Sequence, residues 1–163
     1  MKVLVGASSF TSAPALAYLE EHGIELTPNP YGRRMTEDEV KAELPKYDGL
    51  LAGLEPLNMG VLECAPNLKA IARIGIGMDN VDIPAAKSLG IKVSNTPDEP
   101  TQAVAEMTVA ALMCVGHQII PSNADIHEGT WKKRMGFSLS GLKVLIVGYG
   151  RIGRATEIGR AHV

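Results

Sequence analysis

The sequence predicts an α/β protein built on a mostly parallel sheet. Five short apolar runs typical of strands alternate with segments typical of helices over about the first 95 residues, which favours helices on both faces of the sheet. A sixth apolar run, residues 143–147, leads directly into Gly148, Gly150 and Gly153, spaced as Gly-x-Gly-x-x-Gly. A strand that feeds such a turn and then a helix is the opening of a dinucleotide-binding βαβ unit.

The composition is that of an ordinary globular protein. The chain has 163 residues, of which 45% are hydrophobic and 21% are charged, and its net charge is −2. This balance gives no electrostatic reason to bind nucleic acid or an anionic membrane. No run reaches the roughly 18 apolar residues of a membrane span. Cys64 and Cys114 lie in apolar runs, so we expect buried thiols, a reducing compartment and a cytoplasmic protein.

The first half of the chain supplies the predicted sheet. Its strands are expected at residues 2–6, 24–27, 48–53, 68–74 and 91–94. Helices are expected between them at residues 13–22, from 36 to about 45, at 57–65 and at 83–89. Thr36 and Glu39 form a capping-box pattern at the start of the second helix, and Gly90 favours the end of the fourth.

The second half begins with a rigid loop, residues 95–100, that we interpret as a domain hinge because it contains two prolines. Thr101 is then expected to cap a long helix over residues 102–120, which Pro121 ends. This helix is apolar on nearly every side, so we expect it to be buried on several faces. A polar loop, 122–140, and the last strand, 143–147, complete the prediction.

The glycine turn has a definite chemistry. Gly148 permits a tight turn, Gly150 lets the backbone approach a pyrophosphate, and Gly153 lets the helix pack closely on the strand. The N–H groups of Arg151 and Ile152 would point at the anion from the helix N-terminus. A glycine-rich turn that binds nothing remains the alternative.

A second candidate site is Gly75-Ile76-Gly77, at the carboxyl end of a predicted strand. Exposed N–H groups there could hold a carboxylate, although a plain strand-to-loop turn has the same sequence. The neighbouring Asp79 and Asp82 are interpreted as turn and helix-cap residues, so no metal site is predicted. No catalytic residue is assigned either; structural or solvated roles are expected for His22, His117, His127 and His162.

Five motifs in fixed order carry a family resemblance. They are residues 68–82, 93–97, 103–106, 129–131 and 148–153. With them the chain resembles the D-isomer-specific 2-hydroxyacid dehydrogenases, and most of all their D-3-phosphoglycerate dehydrogenase branch.

The resemblance implies two domains: a flavodoxin-like substrate domain over residues 1–98, and a hinge, a dimer helix and an incomplete Rossmann domain over 99–163. The substrate, a small 2-hydroxy or 2-oxo acid, would place its carboxylate on Gly75, Ile76 and Gly77. The cofactor NAD would meet Thr101, Val104, Gly148, Gly150, Arg151, Ile152 and Gly153. The helix 101–120 would form a homodimer.

The resemblance also implies what the chain does not contain. The family's catalytic arginine, its acidic partner and its histidine follow the glycine turn at a distance and have no counterpart here, so we expect a truncated, inactive dehydrogenase. The alternatives are a non-catalytic dimeric module that binds carboxylates or interacts with a protein, and complementation by a second chain that carries the missing half. The residue that decides between NAD and NADP is not in the sequence.

Overall fold

The computed structural model describes the backbone of residues 1–161 and the side chains of residues 1–157. The chain forms two compact units, Met1–Pro97 and Asp98–Val163. The first contains the sheet and the second contains helices and long connecting segments. His162 lies outside the described residues.

The first unit is a five-stranded parallel sheet, as the sequence predicts. Its strands are β1 Lys2–Val5, β2 Glu25–Pro28, β3 Gly49–Ala52, β4 Ala70–Arg73 and β5 Lys92–Asn95. Their order is β2-β1-β3-β4-β5, and every neighbouring pair is parallel. This is the order of a flavodoxin-like, doubly wound sheet.

Four helices connect these strands: α1 Ala13–Glu21, α2 Glu37–Glu43, α3 Met59–Leu62 and α4 Ile83–Ser88. The capping box of α2 forms as predicted between Thr36 and Glu39. Asp82 caps α4 by accepting a 2.9 Å hydrogen bond from the N–H of Ala85. The core between sheet and helices includes Leu4, Val40, Leu44, Leu50, Leu62 and Ile71.

Two details of the first unit differ from prediction. Helix α3 is shorter than expected because Asn58 caps it, so Leu57 lies outside and forms an isolated parallel bridge with Val81. Cys64 is exposed rather than buried, since Val61 and Leu62 already fill the inward side of this turn. Both cysteines are free thiols, and Cys114 is half-buried.

The second unit contains α5 Pro100–Gly116, α6 Ile119–His127 and α7 Arg151–Ala161. The predicted single helix over 102–120 is wrong, because the chain breaks at Gln118, which adopts a left-handed conformation with φ 54°. Pro121 does not end a helix; it lies in the first turn of α6, where its missing N–H costs no hydrogen bond. Thr101 is not the cap, because α5 already begins at Pro100.

Burial of α5 also differs from expectation. Only Ala105 and Gly116 are buried in α5, although the helix is apolar on nearly every side. Among the described residues no single helix has the length and apolar character to cross a membrane; only α5 and α6 taken together, bent by 64°, have both.

The predicted strand at 143–147 is irregular in the structure. A strand is stabilised by backbone hydrogen bonds to a neighbouring strand, and the described part of the second unit contains no such neighbour. As a result Leu145 and Val147 are 86% and 92% exposed.

The predicted polar loop at 122–140 is also partly wrong, because α6 continues to His127. The rest of that loop is held by the buried Asp125. Its carboxylate accepts hydrogen bonds from Nε and a terminal nitrogen of Arg134, at 2.6 and 3.0 Å. These hydrogen bonds hold the pKa of Asp125 below its usual value.

Candidate functional site

A crevice opens in the first unit at the carboxyl ends of β1, β3 and β4. Connections leave β1 and β3 toward opposite sides in this strand order, and open α/β sheets bind ligands at such a point. The cavity has a volume of about 250 Å³. Its polar lining comes from Ser8, Ser9, Arg34, Glu55 and Arg73.

Glu55 is only 1% exposed, although it carries a carboxyl group. One of its oxygens accepts a 2.9 Å hydrogen bond from the N–H of Gly53. No described lysine, arginine or histidine forms an ion pair with it. Buried charged groups in proteins are normally paired, so an unpaired carboxyl side chain in this position is a candidate functional group.

Arg73 faces the same cavity and is 9% exposed. One terminal nitrogen donates to the carbonyl of Ile74, and its buried Nε has no hydrogen-bond partner. The guanidinium lies against Gly75, where any Cβ would collide with it. Gly75 also has a φ of 138°, which glycine adopts without strain. Arg73 is therefore fixed beside the loop that begins at Gly75.

The loop Gly75-Ile76-Gly77 is anchored to the end of β5. The N–H of Gly75 donates to Thr96 Oγ1 at 2.7 Å, and Asn95 Nδ2 donates to the carbonyl of Ile76 at 2.8 Å. Gly75 therefore has no N–H left for a ligand. The N–H groups of Ile76 and Gly77 have no acceptor among the described residues. These two donors and the adjacent Arg73 suit a carboxylate.

The glycine turn in the second unit has the backbone geometry that its sequence indicates. Gly148 has a φ of 93°, a Cβ on Gly153 would collide with the carbonyl of Gly148, and nothing lies within 4 Å of a Cβ placed on Gly150. The first hydrogen bond of α7 runs from Arg154 to the carbonyl of Gly150 at 3.0 Å. The preceding N–H groups, including those of Arg151 and Ile152, are free to face an anion.

The other predicted cofactor residues, Thr101 and Val104, belong to the first two turns of α5. Arg151 Nε is 2.7 Å from Asp98 Oδ1, and this ion pair places the start of α5 beside the start of α7. Thr101 Oγ1, in the first turn of α5, is buried without a hydrogen-bond partner, and Val104 is exposed. The side chain of Arg151 is thus held by Asp98.

Sequence reasoning did not identify Glu55, Arg73 or Arg34 as site residues. Arg73 carries a signal that could have been used, since it is the one charged residue in the apolar end of a buried strand. Glu55 carries none, because its burial depends on which strands are neighbours. No group of three or more histidine, cysteine, aspartate or glutamate side chains within residues 1–157 could hold a metal ion.

The strand order, the crevice and the glycine turn define a class of protein: an α/β protein that joins a flavodoxin-like unit to the opening of a dinucleotide-binding unit. Comparison with known proteins gives the family. The model of the D-isomer specific 2-hydroxyacid dehydrogenase catalytic domain matches residues 5–158. The chain belongs to the D-isomer specific 2-hydroxyacid dehydrogenase family.

Individual relatives and solved structures are similar to this chain over most of its length. D-3-phosphoglycerate dehydrogenase of Archaeoglobus fulgidus is 35% identical over 156 residues, covering 94% of this chain and 29% of the relative. The TT0316 protein of Thermus thermophilus is 32% identical, with a TM-score of 0.87 over 99% of this chain and 53% of that structure. A protein of Polaromonas sp. JS6 66, described as a putative NAD-binding member of the family, is 26% identical, with a TM-score of 0.86 over 99% of this chain and 52% of its own.

The chain spans about half the length of these solved structures and less than a third of the curated Archaeoglobus relative.

Proposed function

We propose that this chain provides the substrate-binding unit and the first part of the NAD-binding unit of a D-2-hydroxyacid dehydrogenase. The observation that supports it most strongly is the loop Gly75-Ile76-Gly77, with two unpaired N–H groups beside the buried Arg73. A 2-hydroxy or 2-oxo acid would place its carboxylate on the N–H groups of Ile76 and Gly77 and on the guanidinium of Arg73. The similarity to D-3-phosphoglycerate dehydrogenases supports this class of substrate.

The second unit fits NAD at one end. Gly150 leaves room for the pyrophosphate, and the N–H groups of Arg151, Ile152 and Gly153 would bind it. Thr101, with its unpartnered hydroxyl, and Val104 would line the nicotinamide side. NAD, when bound, accepts the hydride from C2 of the hydroxy acid. This chain's contribution is to orient the acid and to hold the pyrophosphate.

The 163-residue polypeptide alone is expected to be inactive. None of the described histidines lines the crevice, and His22 and His127 each bond a carbonyl oxygen of their own helix. Loss of a general base by itself lowers rates by roughly 10²- to 10⁴-fold. NADH titration and a hydroxyacid-oxidation assay test this, and measurable turnover or micromolar NADH binding would contradict it.

The expected partner is a second copy of the chain, joined through residues 101–120. Met107, Val115 and Ile120 are large apolar side chains of this region, and all are exposed. Apolar surface of this kind favours association. The proposal includes no nucleic-acid or membrane partner, and it places the protein in the cytoplasm because both described cysteines are free thiols. Sedimentation tests the dimer, and a monomer at tens of micromolar protein would contradict it.

The carboxylate loop is tested by calorimetric titration of the full chain with D-2-hydroxy acids. Arg73→Gln should weaken binding by about tenfold, since it removes a charge-assisted hydrogen bond. Lys92→Gln is the matched control, because Lys92 is exposed at the amino end of β5, away from the crevice. If the two variants bound D-2-hydroxy acids with equal affinity, Arg73 would not bind the substrate carboxylate.

A further inference from the structure

The crevice is lined by Arg73, which adjoins the carboxylate loop, and also by Glu55, for which the proposed function gives no role. Its side chain is buried, lines the cavity and accepts a hydrogen bond from one backbone N–H, and no cation of the described residues lies within ion-pair distance of it. Replacing water around a charged group by so few partners is costly. The described residues offer no cluster of ligands that would assign Glu55 to a metal.

The backbone around Glu55 is shaped to admit this carboxylate. A Cβ on Gly6, at the end of β1, would collide with Glu55 Oε1, and a Cβ on Gly53 would lie 3.0 Å from Oε2 and 2.9 Å from Cα of Ala7. Asn80 Nδ2 donates to the carbonyls of Gly53 and Glu55, at 3.3 and 2.8 Å, and so fixes the segment after β3. The position of the carboxylate is therefore determined by several elements.

The two ends of the cavity differ in chemistry. At one end the guanidinium of Arg73 offers donors only, and the loop with the unpaired N–H groups of Ile76 and Gly77 follows Arg73 closely in the chain. At the other end Glu55 offers acceptors only, and the exposed Ser8 and Ser9 have hydroxyls without described partners. A ligand that fits both ends carries an anionic group at one end and a hydrogen-bond donor at the other.

We propose that this pocket receives the side chain of the 2-hydroxy acid, and that Glu55 selects a hydroxyl-bearing, uncharged side chain over a phosphorylated one. The inference rests on the proposed function, which places the substrate carboxylate at Ile76, Gly77 and Arg73. A side-chain hydroxyl donates to Glu55. A phosphate dianion has no proton to donate and is repelled by the carboxylate.

The size of the pocket agrees with a small acid. Its volume of about 250 Å³ is roughly that of eight water molecules in the liquid. Arg34 is the feature that would favour a phosphate, because it is exposed at the rim and forms no ion pair with a described residue. The test therefore includes this residue.

The experiment is calorimetric titration of the full 163-residue chain with D-glycerate, D-lactate and 3-phospho-D-glycerate. D-Glycerate should bind about tenfold more tightly than either of the others, because only its side chain donates a hydrogen bond without adding negative charge. This comparison uses the unmodified chain and decides the question even if variants fold poorly.

Variants locate the effect. Glu55→Gln should weaken D-glycerate about tenfold, strengthen 3-phospho-D-glycerate and leave D-lactate unchanged, whereas a purely structural role would shift all three alike. Glu63→Gln is the matched control, since Glu63 is exposed and outside the crevice. Tighter binding of 3-phospho-D-glycerate to the unmodified chain, lost in Arg34→Ala, would overturn the inference and leave the proposed function standing. Failure of all three acids to bind would overturn both.

Discussion

The two units contain similar apolar sequences, but they bury those sequences to very different extents. In the first unit, Leu4, Leu50 and Ile71 of neighbouring strands are at most 1% exposed. In the second, Leu145 and Val147 come from an equally apolar run and lie almost entirely in solvent. The first unit has five strands that bury one another's side chains under helices, whereas the run in the second has no strand beside it among the described residues. An apolar run becomes a strand only where a neighbour pairs with its backbone.

This difference predicts uneven stability along the chain. Burial of a large aliphatic side chain contributes about 1.5–3 kcal/mol relative to exposure, and the first unit gains this at many positions. Leu145 and Val147 of the second unit gain almost none of it. We therefore expect residues 143–147 to exchange their amide protons faster than the sheet does.

The largest expected effect comes from making the same substitution in both units. Leu50→Ala should lower the free energy of unfolding by about 2–5 kcal/mol, because it leaves a cavity among residues that cannot fully close around it. Leu145→Ala should change it by less than about 0.5 kcal/mol, since the side chain is already in solvent. Urea unfolding followed by far-ultraviolet circular dichroism measures both, and comparable losses would contradict the contrast between the units.

A smaller effect is expected inside the glycine turn, where the second unit is tightly packed. Gly153→Ala should destabilise the start of α7 by about 1–3 kcal/mol, because the new Cβ collides with the backbone carbonyl of Gly148, which cannot move aside cheaply. Gly150→Ala is the control, with open space around its Cβ, and should change stability by no more than about 1 kcal/mol. Amide hydrogen exchange in α7 reports both. If α7 exchanges equally fast in the two variants, the turn is looser than the structure indicates.

The same contrast explains what the sequence predicts and what it does not. The parallel sheet and the capping box of α2 are predictable because alternating apolar runs and local capping residues determine them. The break at Gln118 is not, since the apolar pattern runs through it and a left-handed glutamine has no strong local signal. The strand at 143–147 is predicted wrongly because an apolar run shows only that a segment could form a strand. The run does not show whether a second strand lies beside it to accept its backbone hydrogen bonds.

The candidate site divides in the same way. Glycine spacing identifies the loop at Gly75 and the turn at Gly148, since both depend on local backbone geometry. The crevice with Glu55 and Arg73 depends on β1, β3 and β4 lying side by side, so only the folded sheet brings its residues together.

The smallest expected effect is electrostatic. It is followed by the titration of one carboxylate in each unit, Glu39 in the first and Asp125 in the second. In the first unit, both terminal nitrogens of Arg33 donate to the carboxylate of Glu39, at 2.9 and 2.6 Å, as does the N–H of Thr36. These hydrogen bonds, of which those from Arg33 have the largest effect, lower the pKa of Glu39 from 4.5 to about 2. Because the pKa is lower in the folded state, this stabilisation is complete above about pH 4.5 and is lost as the pH falls toward about 2.

Arg33→Ala should therefore raise the pKa of Glu39 toward 4.5 and leave that of Asp125 unchanged. Arg134→Ala should do the reverse, since hydrogen bonds from Arg134 hold the pKa of Asp125 below 3.8. Side-chain carboxyl shifts followed by NMR from pH 6 down to about pH 2, the interval set by these lowered values, measure both residues in one sample. If each substitution moved the titration midpoints of both Glu39 and Asp125, the two carboxylates would not titrate independently. The local origin assigned to each pKa shift would then be wrong.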